Sequence, residues 1–243
     1  KALLGGIAAR GWHGVLLNLR GCSGELNRLP RGYHSGDTAD LAHVAALLRA
    51  RHGAQPLVGV GFSLGGNQLL KYLGETRDAA LLDAAVAVSV PFELGRAADR
   101  LAQGFSRVYQ RHLVGRLQDK VRRKSRALPA YPLAVDEVDA WRDFRTFDDR
   151  VTAPLNGFRN ADDYYTRSSS RQFLRHIARP TLVLHAQDDP FLPQDAIPTA
   201  AELAAPVTLE LAARGGHVGF IEGPAPWRAR RWLFLRSMSG GLS

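Results

Sequence analysis

The stretch 59-GVGFSLGGNQLLKYLG-74 sets a single serine among glycines, with an apolar run before it and an amphipathic run after it. Its centre, Gly61-Phe62-Ser63-Leu64-Gly65, fits G-x-S-x-G, the pattern of a strand that turns sharply into a helix with serine at the apex. Such a turn strains the backbone at the serine. Side chains two residues to either side would collide with the neighbouring strand and helix, so glycine is expected at both places. The helix begins at the serine, and its free N–H groups favour negative charge there. The N–H of Leu64 is therefore the candidate donor to the oxyanion of a tetrahedral intermediate. Two other glycine-rich patterns fail. A dinucleotide loop needs glycine at 64, and a phosphate loop needs a Gly-Lys-Ser/Thr ending that is missing here. A structural serine in a tight turn is the remaining alternative.

A serine nucleophile needs a histidine base, and that base needs an orienting carboxylate. On a strand–turn–helix scaffold they follow in the order Ser, Asp or Glu, His. The apolar run "LVLHAQDDPFLP" ends in Asp188 and Asp189. A carboxylate just past a strand would share the serine's edge of the sheet. Asp189 is the chosen acid, three residues after Ala186, which ends the strand; Asp188 is the alternative. A turn-forming Asp-Asp-Pro would give the same letters. His217, in "RGGHVGF", is the one histidine that follows this acid. Its glycine-rich loop would let the ring swing toward Ser63. His185, within the strand, reads as a wall or core residue. His34, Asp37, Asp40 and His43 have a spacing that suits one helix face, but they read better as a capped helix start than as a metal site.

Short apolar runs alternate with helical patterns along the chain. Strands are expected over 14–20, 56–62, 82–91, 180–188 and 207–213. Helices are expected over Ala2 to Arg10, 35–53 with Ser35 or Asp37 as cap, from 64 onward, over "DAIPTAAELAA", and over the terminal "PAPWRARRWLFLRSM". Continuous apolar strands between helices mean an α/β fold whose mostly parallel sheet is covered on both faces. From Phe92 to about Ser170 the rhythm breaks: a basic helical run precedes the loop-like 147–170. This gives an inserted helical cap over 92–170 between two parts of one core, 1–91 and 171–243. Its aromatic residues, Phe92, Phe105, Tyr109, Trp141, Phe144, Phe158, Tyr164 and Tyr165 among them, either line an acyl pocket or pack the cap.

The chain has 243 residues, 45% of them hydrophobic and 23% charged, which is an ordinary globular composition. Its single cysteine, Cys22, cannot form an internal disulfide and fits a reducing compartment, so a cytoplasmic protein is expected. The net charge of +9 admits an anionic partner, but a general richness in arginine accounts for it, and no nucleic acid is expected. The opening "KALLGGIAARGWHGV" carries neither an initiator methionine nor a signal-peptide pattern. It reads as mid-domain, with the first strands of the fold expected ahead of the residues given.

Taken together, "LRGCSGELNRLPRGYHSGDTADL", "GVGFSLGGNQLLKYLGE", "AVAVSVPFELGRAADRLAQGFSRVYQRHL", "RTFDDRVTAPLNGFRNADDYYTRSSSRQFL" and "GGHVGFIEG" resemble the YheT-like, AB-hydrolase-4 (ABHD-type) branch of the α/β-hydrolase fold. The resemblance covers nearly the whole chain. It implies a serine carboxylic-ester hydrolase that needs no cofactor and no metal, with Ser63 as nucleophile, Asp189 (or Asp188) as acid and His217 as base. Its substrates would be short- or medium-chain acyl esters or lipids. Acyl transfer to an alcohol with the same triad is the alternative, and a silent hydrolase fold that only binds is another. The resemblance also implies a second oxyanion donor on an early His-Gly loop, which is expected, with the first strands, ahead of "KALLGGIAAR". The basic run from Arg96 to Arg126 is a candidate for peripheral contact with anionic membrane, with a solvated helix face as the rival reading.

Overall fold

The structure, a computed structural model, describes residues 2–222 and 230–231. Its centre is a parallel sheet of four strands in the order β1 (Val58–Phe62), β2 (Ala84–Val88), β3 (Thr181–Ala186), β4 (Val207–Ala212). The register is even: Val58 faces Ala84, Ala85 faces Thr181, and Thr181 faces Val207. Because all four strands run the same way, the chain leaves β1, β3 and β4 at one edge of the sheet. Ser63, Asp189 and His217 each lie just beyond one of those carboxyl ends, which is where open α/β sheets carry their sites. The expected α/β architecture, a parallel sheet flanked by helices, is the one observed.

Helices α1 (Ala2–Ala8), α2 (Ala39–His52) and α3 (Leu64–Thr76) accompany the first half of the sheet. Gly53 ends α2 at φ 62, and Thr38, not Ser35 or Asp37, precedes its first residue. The main core joins α3 to the sheet through Leu69, Leu70, Leu73, Ala87 and Val183. Between β2 and β3 no strand occurs. This part of the chain holds α4 (Leu94–Leu101), the long α5 (Ser106–Ala127), α6 (Phe144–Phe147), a π-helical turn, α7 (Ala153–Leu155) and α8 (Ala161–Ser168). It builds two apolar clusters of its own, one around Tyr164 and Tyr165 and one around Trp141 and Phe147.

Four local expectations fail, each for a physical reason. Residues 14–20 form no strand: no described strand pairs with them, and Val15 and Leu16 stay exposed. β1, expected as a buried strand, is the sheet's edge among the described residues and exposes Val58 and Val60. The helix expected in 195–205 is two short 3₁₀ turns, Gln194–Ala196 and Ala200–Glu202. Pro198 lies between them; it has no N–H to give and keeps Ile197 extended. Residues 147–170 are largely helical instead of loop-like, and Asn160 caps α8 by accepting the Asp163 N–H at 2.9 Å. The expected terminal helix lies outside the described residues, apart from Arg230–Arg231, which pair as a short strand with Ile221–Glu222. No described helix is long and apolar enough to cross a membrane.

Candidate active site

Ser63 sits at φ 50, ψ −120, between the last residue of β1 and the first of α3. A serine held at positive φ is a strained residue. The strain is held from both sides: its N–H donates to the Val88 carbonyl at 2.8 Å, and its carbonyl accepts the Asn67 N–H at 3.1 Å. Gly61 is needed for space, since a Cβ there would stand 2.5 Å from the Gly65 carbonyl oxygen. Gly65 is not, because a Cβ there meets nothing within 4 Å. The second close approach is at Gly66, whose Cβ would meet Val90 at 2.8 Å. The turn's steric demand thus falls at 61 and 66, one residue later than the symmetric pattern implies. Leu64 opens α3, so its N–H has no acceptor within the helix.

The imidazole of His217 lies between the other two predicted residues. Its Nε2 is 2.9 Å from Ser63 Oγ, and its Nδ1 is 2.9 Å from Asp189 Oδ2. Asp189 is buried, and its other oxygen accepts the Phe191 N–H at 2.9 Å, which fixes the carboxylate plane. The ring of Phe191 lies 4.2 Å from that of His217.

Asp188 points elsewhere. Its Oδ1 accepts the N–H groups of Gly215 and Gly216, both at 2.8 Å. The two neighbouring carboxylates therefore divide the work: Asp189 touches the imidazole, and Asp188 holds the loop that carries it. That loop is strained, with Gly216, Val218 and Phe220 all at positive φ. The Val218 N–H donates to Ser89 Oγ at 3.0 Å, and Ser89 itself has φ 51. The adjacent pair of aspartates was the sequence signal for the role of Asp188. Nothing in the sequence marks Ser89 or Phe191.

His185 is buried in β3, against Phe92. Its Nε2 lies 4.0 Å from Asp189 Oδ2, and neither ring nitrogen finds a hydrogen-bond partner among the described residues. Burial pushes its imidazole below the ordinary value, so it stays neutral beside the carboxylate. Asp40 of the early cluster pairs with Arg20, and His34 is half-buried, its imidazole lowered to about 4 by desolvation.

Leu64 also lines a cavity of about 130 Å³ that runs under the helical part of the chain. Leu117, Val121, Phe147, Val151 and Leu155 supply apolar walls, and Tyr33, His34 and Asp148 supply polar ones. Of the aromatic residues expected at a pocket, Phe144 and Tyr164 line it. Phe92, Trp141 and Tyr165 are buried in packing, while Phe105 and Tyr109 face outward. A larger groove of about 830 Å³ along the outer edge of β4 contains none of the three site residues.

A family model described as the alpha/beta hydrolase fold matches residues 3–224. The chain belongs to the α/β hydrolase fold family. Within it the chain is similar to YheT of Escherichia coli, an esterase by provisional name, with 43% identity over 232 residues, covering 92% of this chain and 68% of that protein. It is 35% identical to the mouse phospholipase ABHD3 and 34% identical to the Saccharomyces cerevisiae monoacylglycerol lipase, each over 89% of this chain. Those two matches span 53% and 49% of the relatives, so the chain is about half the length of these eukaryotic proteins. The resemblance to the YheT-like, ABHD-type branch thus holds, and the chain is an α/β hydrolase of the esterase and lipase type. A Pyrococcus furiosus esterase, Pf2001, shares the fold at TM-score 0.52 and 14% identity, over 89% of this chain and 67% of that one.

Proposed function

We propose that this α/β hydrolase cleaves carboxylic esters through an acyl-enzyme formed on Ser63. The observation that carries the reading is the imidazole of His217 bridging Ser63 Oγ and Asp189 Oδ2 with two contacts of 2.9 Å. Asp189 accepts the Nδ1–H of His217, which leaves the Nε2 lone pair facing the serine. Nε2 takes the serine proton as Oγ attacks the ester carbonyl carbon. The N–H of Leu64 donates to the oxyanion that forms. The tetrahedral intermediate then collapses. The bond to the alcohol oxygen breaks, and that oxygen leaves with the proton from His217. Water repeats the sequence from the other side, with His217 again as base, and releases the acid and free Ser63.

The substrate class is a short- or medium-chain acyl ester, including lipids. Support comes from the apolar walls beside Leu64 and from relatives named phospholipase and monoacylglycerol lipase. The helical segment 92–170 acts as a cap over the serine, contributing most of those walls.

The test is a chain-length series of nitrophenyl esters together with a fluorophosphonate label. Ser63→Ala is expected to lose label and to slow hydrolysis by about 10⁴-fold or more; label that persists overturns the assignment. Asp189→Asn is expected to cost about 10⁴-fold, since it disturbs the imidazole tautomer. Asp188→Asn loosens only the loop and is expected to cost between about tenfold and a hundredfold. The reverse order would transfer the acid's role to Asp188.

A further inference from the structure

The first half of α5 inverts the usual arrangement of a surface helix. Phe105, Val108, Tyr109 and Leu113 are 78%, 59%, 49% and 39% exposed. At helical spacing, Phe105, Tyr109 and Leu113 form one row, Val108 starts the next, and Arg107 and Arg111 form the row beyond. The side facing the protein carries Ser106, Gln110 and Val114 instead. Isolated exposed apolar side chains are common, but a contiguous patch of large ones marks a contact surface.

The charge around the patch is one-sided. No acidic residue occurs from Phe105 to Gln118. Arg107, Arg111 and Arg116 are exposed and make no ion pair among the described residues. Some arginines elsewhere find partners: Arg122 pairs with Asp119 and Asp139, Arg145 with Asp99 and Asp162, and Arg171 with Glu93 and Glu202. Others, such as Arg51, Arg77 and Arg150, are exposed and make no ion pair among the described residues. What sets the start of α5 apart is that its unpaired cations flank apolar rows on a stretch without a single acid.

The patch also touches the site. Phe105 meets Tyr109 with ring centroids 6.2 Å apart, Tyr109 meets Phe191 at 5.3 Å, and Phe191 meets His217 at 4.2 Å. Ser106 Oγ donates to the Pro190 carbonyl at 3.0 Å, which ties the start of α5 to the loop of the acid. A line of aromatic rings therefore runs from the outer surface to the imidazole.

We infer that the first half of α5 docks peripherally on an anionic lipid bilayer, with Phe105, Val108, Tyr109 and Leu113 at headgroup depth and Arg107, Arg111 and Arg116 on the phosphates. An interfacial helix needs this combination of an apolar face, flanking cations and no acids. A solvated helix face accounts for the arginines but leaves the four apolar side chains without a reason to face water. The docking goes beyond ester hydrolysis, and it places the mouth of the site at the source of lipid substrates.

Sedimentation with sucrose-loaded vesicles tests it, using Ser63→Ala protein so that binding is read without turnover. Vesicles of phosphatidylcholine are compared with vesicles containing about a third phosphatidylglycerol, at low salt. Binding is expected to be at least about tenfold tighter to the anionic vesicles. Arg107→Glu/Arg111→Glu/Arg116→Glu is expected to weaken it by on the order of a hundredfold. Phe105→Ser/Val108→Ser/Leu113→Ser is expected to weaken binding about tenfold or more. The single Phe105→Ser is a milder variant should the triple one melt early. In an otherwise unaltered chain, the apolar variants are expected to hydrolyse a water-soluble acetate ester within about twofold of the parent rate. Equal binding to both kinds of vesicle, or binding that none of these substitutions changes, overturns the inference. So does a dimer that the apolar substitutions dissolve while vesicles bind neither form, which would assign the face to a second copy. If the parent chain hydrolyses no ester, the proposed activity fails and the vesicle result stands on its own.

Discussion

Helices α3 and α5 both reach the site, and they treat polarity in opposite ways. α3 buries every residue from Gly66 to Gly74, including Asn67, Gln68 and Lys71. α5 is longer, yet it buries only Ser106, Gln110, Val114, Val121 and Lys124 and turns apolar side chains outward. The difference lies in what surrounds each helix. α3 is wedged between the sheet and the segment 171–176, so whatever it carries is enclosed and must be satisfied there. Asn67 shows how. Its Nδ2 donates to the carbonyls of Ser35 and Ser168, both at 2.8 Å, and its Oδ1 accepts the Ser170 N–H at 2.9 Å. One amide thereby ties two separate segments, around Ser35 and around 168–170, to the turn that holds Ser63. α5 has the sheet on neither side, and its outward residues answer to solvent or to whatever docks there. Burial follows position in the fold: α3 encloses polar side chains and satisfies them, whereas α5 leaves apolar ones outside.

The contrast can be broken at four points. Asn67→Ala leaves two carbonyls and one N–H unpaired in a closed space. It is expected to cost about 4 kcal/mol, a fall in Tm of roughly 8–16 °C for a chain of this size; a loss below about 1 kcal/mol would mean that α3 is not the rigid partner.

Asp148 tests the packing beneath α5. Its carboxyl accepts from Thr152 Oγ1 at 2.6 Å and from the Tyr165 hydroxyl at 2.8 Å, yet burial raises its pKa from 3.8 to about 6. An acid whose folded-state pKa is raised contributes stability that is full below the unfolded value and is lost as pH rises through the folded one. The chain is therefore expected to lose on the order of 3 kcal/mol through this group between about pH 4 and pH 6. Asp148→Asn should flatten that part of the curve of stability against pH, as followed by urea unfolding at several pH values. An unchanged curve would show that the carboxyl is solvated in solution.

His185→Phe probes the neutral ring behind Asp189. Both ring nitrogens are unpartnered among the described residues, so the apolar replacement is expected to change stability by less than about 1.5 kcal/mol and to leave the fluorophosphonate reaction within about tenfold. A larger loss of labelling would show that the imidazole helps position the acid. At the small end, Val108→Ser on α5 is expected to shift stability by no more than about 0.5 kcal/mol. A larger fall would mean that the apolar face packs against protein after all.

Legibility followed the range of the forces involved. The four strands of the parallel sheet were readable as short apolar runs; the pattern fits the enclosed β2 and β3, while β1, at the edge among the described residues, keeps apolar residues that it partly exposes. Residues 14–20 read the same way and fail as a strand because pairing depends on a neighbour, which no local pattern reports. The cap of α8 at Asn160 was readable in principle from an asparagine three residues before an acid, but the apolar spacing around it is too sparse to fix a helix. Gly66, not Gly65, meets the tight contact of the elbow because the nearest obstacle is Val90, beyond β2.

The order of the chain by itself determined the parallel α/β class, the serine turn, and the succession of hydroxyl, carboxylate and imidazole after strands. These follow from composition and periodicity over a few residues. Only the tertiary structure decided which of two adjacent aspartates faces His217, that the loop of His217 is held by Asp188 and Ser89, and that the aromatic residues of α5 lie outside. Those outcomes depend on contacts between residues far apart in sequence, set by strand register and by what each helix finds beside it.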